Sequence, residues 1–260
     1  MNPPLLSIIT PVFNSKEFIH LCIQNVVQQN CSSLEHIIVD GGSTDGTVEI
    51  IRDLAKEYSH IRWISEKDKG QSDAMNKGIE LANGSVIGFL NADDYYEPEV
   101  LNRVCELFQT LPKNSFAVAN CRIWQTEDSF HLNEPKDLRF ISLVKKKSVH
   151  PYNPVAYFYH KALHKKAGLY DINDHYSMDI DFILRVVRKA HCYYFNEIWG
   201  NMRFLPGSKT FEDNQQGQAI KRLKDVLKKH WDLAPFWIKW KYNITPYIHK
   251  LTGNLFHERE

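Results

Sequence analysis

The chain has 260 residues, of which 43% are hydrophobic and 24% charged, ordinary globular material with enough apolar content for one substantial core. A formal net charge of +1 supplies no overall field for nucleic acid, and no nucleic-acid partner is expected.

Leu5 to Thr10 reads as a buried strand, and Pro11-Val12-Phe13-Asn14-Ser15 turns it into a helix with apolar positions 18, 19, 22, 23 and 26. His36 to Val39 repeats the theme. It ends in Asp40-Gly41-Gly42-Ser43-Thr44-Asp45-Gly46 and leads to a helix with Val48, Ile51, Leu54, Ala55 and Tyr58 on one face. A third strand, Ile61 to Ile64, gives way to Lys67-Asp68-Lys69-Gly70 and a helix from Ser72 to Ala82, where Ser72 is placed to cap. Val86 to Leu90 is the fourth strand, followed by Asn91-Ala92-Asp93-Asp94 and a helix near Pro98 to Leu111. Alternating β and α at this spacing predicts an α/β fold with a doubly wound, mostly parallel sheet.

After Phe116 to Cys121 the rhythm breaks. Trp124 to His150, with its run Lys145 to Lys147, reads as irregular loop at the acceptor side of a site. Pattern returns with Val155 to Tyr159, a short helix around Leu163, a helix starting near Asp179 and a strand at Cys192 to Phe195. From Ala219 to Glu260, nine Lys/Arg stand against four Asp/Glu. That segment sets Lys221, Arg222, Lys224, Lys228 and Lys229 beside Trp231, Phe236, Trp237, Trp240 and Tyr242. Three uses are open: a helix lying on a membrane surface, aromatic closure of the core, or a homodimer contact.

The five cysteines are odd in number and lack Cys-x-x-Cys spacing, which speaks against a disulfide framework and favours a reducing, cytoplasmic setting. The first apolar stretch has no basic residues before it and is cut by Pro11, so no signal peptide is expected.

The turns at Thr10 to Asn14, Asp40 to Asp45 and Asn91 to Asp94 all follow strands, so a parallel sheet gathers them at one edge, where such sheets bind ligands. Gly41, Gly42 and Gly46 do not fit Gly-x-Gly-x-x-Gly, and no Gly-Lys-Ser/Thr of a P-loop occurs. What survives is a nucleotide pocket with Asp40 free to accept hydrogen bonds from a base or ribose, and a diaspartate holding Mg²⁺ or Mn²⁺ on phosphates. Asp179 lies three and four residues before Phe182 and Ile183, on the apolar face of its helix, where partial burial suits a general base. Asp181 faces Arg185 at i+4, the spacing of a surface ion pair.

Five blocks in order resemble the inverting glycosyltransferase family 2, which has the GT-A fold. They are Ile9 to Asn14, Asp40 to Thr47, Gly70 to Gly78, Asn91 to Asp94 and Met178 to Asp181. The resemblance covers residues 5 to 210 and implies a catalytic domain at 1–210 with a helical segment at 211–260. It implies that Pro11, Phe13 and Asp40 hold the nucleoside and that Gly70 and Asn76 line the nucleotide pocket. It also implies that Asp93 ligates the metal, with Asp94 beside it near the donor sugar. The donor would be a nucleotide sugar, UDP-linked, and the acceptor a glycan or lipid-linked glycan at the inner face of the cytoplasmic membrane, in polysaccharide or glycolipid assembly. Two positions depart from the family pattern. Asn91 stands where relatives often carry the first Asp of Asp-x-Asp and keeps only an amide for a ribose. Leu205 stands where many carry a histidine, leaving Arg203 as the positive candidate at the diphosphate. A silent nucleotide-sugar-binding or scaffold protein and a nucleotidyltransferase are the alternatives, separated by turnover and by product identity.

Overall fold

Every residue of β1 (Leu6–Val12) and of β2 (Leu34–Asp40) is buried. Strands covered on both faces belong at the centre of a parallel sheet flanked by helices. That is their place in the computed structural model, which describes residues 4–206, 209–240 and 242. Parallel ladders join β1 to β2, β2 to β3 (Ile61–Ser65) and β1 to β4 (Val86–Phe89). The intervening helices are α1 (Ile19–Gln28), α2 (Thr47–Glu57) and α3 (Gln71–Leu81). Connections from β1 run one way to β2 and β3, and the chain then returns across β1 to β4. The carboxyl ends of β1 and β4 therefore flank a topological switch point, where α/β sheets open a crevice.

Beyond β4 the sheet is mixed. Its order is β3-β2-β1-β4-β8-β6-β9-β5, with β7 beside β6. These later strands are β5 (Tyr95–Tyr96), β6 (Ser115–Thr126), β7 (Ser129–Asn133), β8 (Tyr157–His160) and β9 (His191–Arg203). Antiparallel β8 links β4 to β6, and β6 runs parallel to β9. The predicted Phe116 to Cys121 and Cys192 to Phe195 are thus pieces of strands twice as long or more. Nor is the region after Trp124 irregular: β6 folds back as β7, and the chain then forms α5 (Phe140–Val144), which buries Phe140, Leu143 and Val144.

Alternation along the strands divides the core. Ile9, Ile37, Val39 and Phe89 meet Met75 and Ile79 of α3 and Phe182 and Ile183 of α7 (Met178–Val186). Ile8, Val86 and Leu90 meet Cys22 and Val26 of α1 and Leu101 and Val104 of α4 (Val100–Thr110). A short α6 (His164–Ala167) and α8 (Lys209–Gln215) precede and follow α7 and β9 in the chain, and α9 (Gln218–Asp232) sends Val226 and Leu227 into the same core as α3 and α7.

Candidate active site

The turn after β4 sets Asp93 and Asp94 beside the crevice. Asp94 is buried, and three parts of the chain converge on it. Its Oδ2 accepts from Nδ2 of Asn91 (2.9 Å) and Nδ2 of Asn153 (2.8 Å), and its Oδ1 accepts from the backbone N–H of Arg203 (3.2 Å). Burial and the adjacent Asp93 charge nonetheless push its carboxyl up to about 8, against the pull of those donors. Asp93 is half-buried, and burial raises its pKa too, opposed by a backbone hydrogen bond and by the Arg203 charge.

Arg203 reaches this place because β5 pairs with the end of β9, Tyr95 opposite Asn201. Fully buried Asn201 fixes that end by donating to Glu97 (2.6 Å) and accepting from the Trp124 indole (2.8 Å). The Arg203 guanidinium lies 5.2 Å from the centroid of the Tyr95 ring. A cleft of about 200 Å³ opens here, with Asn25, Gln28, Asp94, Tyr95 and Arg203 in its wall. Across the switch point, Gln71 at the start of α3 donates to Oδ1 of Asn91 (3.1 Å). Both ends of the Asn91 amide are therefore held within the protein, so its geometry orients Asp94 rather than offering an idle group to a ribose.

The turns after β1 and β2 are stitched together. Asn14 N–H donates to Ser43 Oγ (2.7 Å), Thr44 N–H to Asn14 Oδ1 (3.0 Å), and Ser15 N–H to Thr47 Oγ1 (2.9 Å). Pro11 is buried opposite Val39, while Phe13 stands 60% exposed at the crevice edge. Asp40 differs from the free acceptor expected of it. It is fully buried, its Oδ2 accepts from the N–H groups of Gly42 and Ser43 and from Ser65 Oγ, and its Oδ1 accepts from Ser43 Oγ. A carboxylate with four internal donors is saturated, so Asp40 shapes the turn from within.

Gly70 opens α3 at φ +112, a conformation costly for any residue with a Cβ, and a Cβ there would also lie 3.1 Å from the His175 ring. Asn76 does not point into the crevice. Its Nδ2 donates to the Tyr170 carbonyl (2.9 Å) and its Oδ1 accepts from Tyr170 N–H (3.0 Å), an amide clasp that ties α3 to the segment before α7. Ser72 does not cap α3 either; its hydroxyl donates to the Asp174 carbonyl (3.1 Å) and drapes the start of α7 over the start of α3.

Asp179 sits in the first turn of α7, partly buried, and its Oδ1 accepts from the Tyr157 hydroxyl (3.2 Å). Asp181 does pair with Arg185 (2.8 Å), but not at the surface. It is buried, and Lys229 (2.9 Å) and His230 (3.0 Å) of α9 both reach its Oδ1. Burial alone would raise its pKa; the His230, Lys229 and Arg185 donors outweigh that and hold it well below the usual carboxylate range.

Residues 7–168 match the family model described as Glycosyl transferase family 2. The chain belongs to that family. Among this glycosyltransferase's relatives, the uncharacterized glycosyltransferase EpsJ of Bacillus subtilis is 28% identical over 89% of this chain and 72% of its own length. A PGL/p-HBAD biosynthesis glycosyltransferase of Mycobacterium bovis is 32% identical over 71% of this chain and 70% of its own. Solved structures share the fold at low identity. Staphylococcus aureus TarS 1-349 in complex with UDP-GlcNAc aligns with a TM-score of 0.64 at 16% identity, over 78% of this chain and 59% of that one. The mannosyltransferase PcManGT of Pyrobaculum calidifontis, in complex with GDP-Man and Mn²⁺, gives 0.62 at 17% identity over 85% and 63%. These neighbours bear out the GT-A reading of the α/β architecture.

The Asp93-Asp94 turn fits a divalent cation. Two adjacent carboxylates, both with raised pKa, carry a repulsion that a cation would relieve. No cluster of three or more His, Cys, Asp or Glu able to cage a metal occurs among the described residues. Mg²⁺ and Mn²⁺ suit such an open site, since phosphate oxygens and water complete their shells.

Sequence reasoning missed Asn153, Ser65 and Tyr157, the partners of Asp94, Asp40 and Asp179. Asn153 precedes Pro154 in a stretch without periodicity, and the other two lie inside ordinary strands, so no local signal marks them. Asp68 was passed over as loop; its carboxylate accepts from Gly70 N–H (2.8 Å) and lies where a Cβ on Gly41 would fall within 2.5 Å of it.

Proposed function

We propose that this glycosyltransferase moves a sugar from a UDP-linked donor to an acceptor hydroxyl with inversion, in one displacement, during assembly of a cell-surface glycan on a lipid-linked acceptor at the cytoplasmic face of the membrane. The observation that carries the reading is the Asp93-Asp94 turn, with half-buried Asp93 beside the Arg203 charge at the switch point, and Asp179 on the helix whose approach Ser72 of α3 binds. The named ligands of the structural relatives, a UDP sugar and a GDP sugar with Mn²⁺, support a nucleotide-sugar donor.

In this mechanism Phe13 offers its exposed ring to the nucleobase, and the saturated Asp40 holds the turn on which the base rests. Asp93 would hold the cation, whose charge would offset that of the leaving diphosphate, and the Arg203 guanidinium adds a fixed positive charge beside Asp93. Asp94, oriented by Asn91 and Asn153, keeps Asp93 and the Arg203 backbone in register. Asp179, steadied by the Tyr157 hydroxyl, takes the proton of the acceptor hydroxyl as its oxygen bonds to the anomeric carbon. The bond from that carbon to the diphosphate breaks, and the nucleoside diphosphate departs.

Asp179→Asn is expected to lower kcat by roughly 10² to 10⁴, the range of a general base, while donor binding persists. Thermal shift checks the second part, because a donor at 100 times its Kd stabilises by about 2.7 kcal/mol. Unchanged turnover removes Asp179 from the mechanism. Asp93→Asn is expected to abolish the difference in donor binding between Mn²⁺ and EDTA. Metal-dependent binding without turnover by the native chain would favour the silent-binder alternative.

A further inference from the structure

The aromatic residues at the end of α9 divide into two sets. Trp231 is drawn against the body, with Lys145 Nζ 3.3 Å from its ring centroid and Tyr242 edge-on at 5.7 Å. Leu233, Phe236, Trp237 and Trp240 face outward, 66%, 79%, 64% and 56% exposed. Residues 236–240 are helical, so Phe236, Trp237 and Trp240 share one side of a turn, while Ala234 just before them is buried. Core closure therefore does not account for them. Four large apolar side chains within eight residues also exceed the singly scattered exposure normal on a soluble surface.

A cationic stripe precedes this patch in the chain. Lys221, Lys224 and Lys228 of α9 recur at three- and four-residue intervals and are all exposed, with Lys228 paired to Asp232. From Ala219 onward the chain carries five more positive than negative residues. Two such surfaces facing each other would repel, which disfavours a second copy as the occupant. Aromatic rings beside lysines instead match the boundary of a bilayer, where rings enter the headgroup layer and ammonium groups meet anionic lipid. No helix among the described residues is long and apolar enough to cross a membrane, so contact through this face would be peripheral.

We propose that the exposed face of Leu233, Phe236, Trp237 and Trp240, together with the lysine stripe of α9, is a docking surface for an anionic lipid bilayer. The Asp181 contacts with Lys229 and His230 tie α9, and with it the lysine stripe, to α7, the helix that carries Asp179. The surface stands on its own geometry; its use in presenting a lipid-linked acceptor rests on the function proposed above.

The test is flotation of the full chain with phosphatidylcholine vesicles, with and without one-third phosphatidylglycerol. Binding is expected with the anionic vesicles and is weakened by salt. Phe236→Ala with Trp237→Ala and Trp240→Ala should weaken it by more than about tenfold. Lys221→Gln and Lys224→Gln should each weaken it roughly fivefold. Donor thermal shift of every variant verifies folding, and it also separates failure of this proposal from failure of the catalytic one. Equal flotation of the aromatic variant and the native chain, or a native chain that stays soluble with both vesicles, overturns the proposal. So does light scattering that shows a dimer dissolved by the aromatic substitutions, which would assign the patch to a second copy.

Discussion

Cys31 and Cys105 bring their sulfurs within 3.5 Å, where the loop after α1 meets α4. The hydrogen bond from Cys105 lowers the Cys31 thiol to about 7 despite partial burial, whereas the same contact and burial push Cys105 up. Burial pushes Cys22 to about 12 and Cys192 to about 11. The thiolate is the reactive form, so one cysteine of five is set apart by its neighbour and not by its sequence context. Near neutral pH, iodoacetamide is expected to alkylate Cys31 more than about tenfold faster than Cys192, allowing for the weaker nucleophilicity of a less basic thiolate. Peptide mass spectrometry of a time course reads this directly, and equal rates at the two sites would contradict the Cys31–Cys105 pairing. Asp40 and Asp94 teach the same lesson: composition shows a carboxylate, and its surroundings decide its state, four internal donors for Asp40, and for Asp94 burial and the Asp93 charge acting against three donors.

Among the elements, α3 lies close over β1. A Cβ on Gly78 would stand 2.3 Å from Cγ2 of Ile9, so the helix can lie this close only over glycine. Gly78→Ala gains helix propensity of about 1 kcal/mol but overpacks a junction whose strain typically costs about 1–3 kcal/mol. A net loss of stability is expected in urea unfolding, together with a weaker donor shift because Gln71 and the Asn91 turn move with α3. A more stable variant would show that the junction yields easily. The same elements explain what was legible. β1, β2 and β4 announce themselves as apolar runs because both faces are buried, and α1 to α4 because each buries one stripe. β7 alternates polar and apolar residues from Ser129 to Asn133, but over five positions only and with four of them exposed, and β5 is two residues long, so both fall below the length at which a pattern stands out. β9 shows an apolar start and then passes through Asn196, Glu197, Gly200 and Asn201, a polar stretch held in the sheet by partners far along the chain, Asn120 for Asn196, Arg103 for Glu197, and Trp124 and Glu97 for Asn201. At the site, the diaspartate was readable because two acids follow an apolar strand. The pairing of Asn76 with Tyr170 was not legible because a motif match gives no side-chain direction, and Asn153 was missed because nothing local marks it.

At the scale of the whole molecule, one buried carboxylate joins the C-terminal helices to the catalytic body. Asp181 on α7 receives Arg185 from its own helix and both Lys229 and His230 from α9. Replacing it with Asn leaves three donors facing a neutral amide. Breaking a buried charge cluster from one side costs roughly 3–5 kcal/mol, and the half-exposed Lys229 places the expected loss near the lower figure. The pH dependence follows from the direction of the shift. Asp181 is held below its ordinary value of 3.8, so its contribution is fully present above that value and is lost as pH falls through it toward the depressed folded pKa. The stability gap between the native chain and Asp181→Asn is therefore expected to be widest near neutrality and to narrow under acid. Denaturant unfolding across that range measures it, and a gap that does not change with pH would mean that the carboxylate is not held low. Because Lys229 and His230 share one oxygen of Asp181, either one alone still closes the contact. Single replacements on α9 should thus cost less than Asp181→Asn, with buried His230 costing more than Lys229.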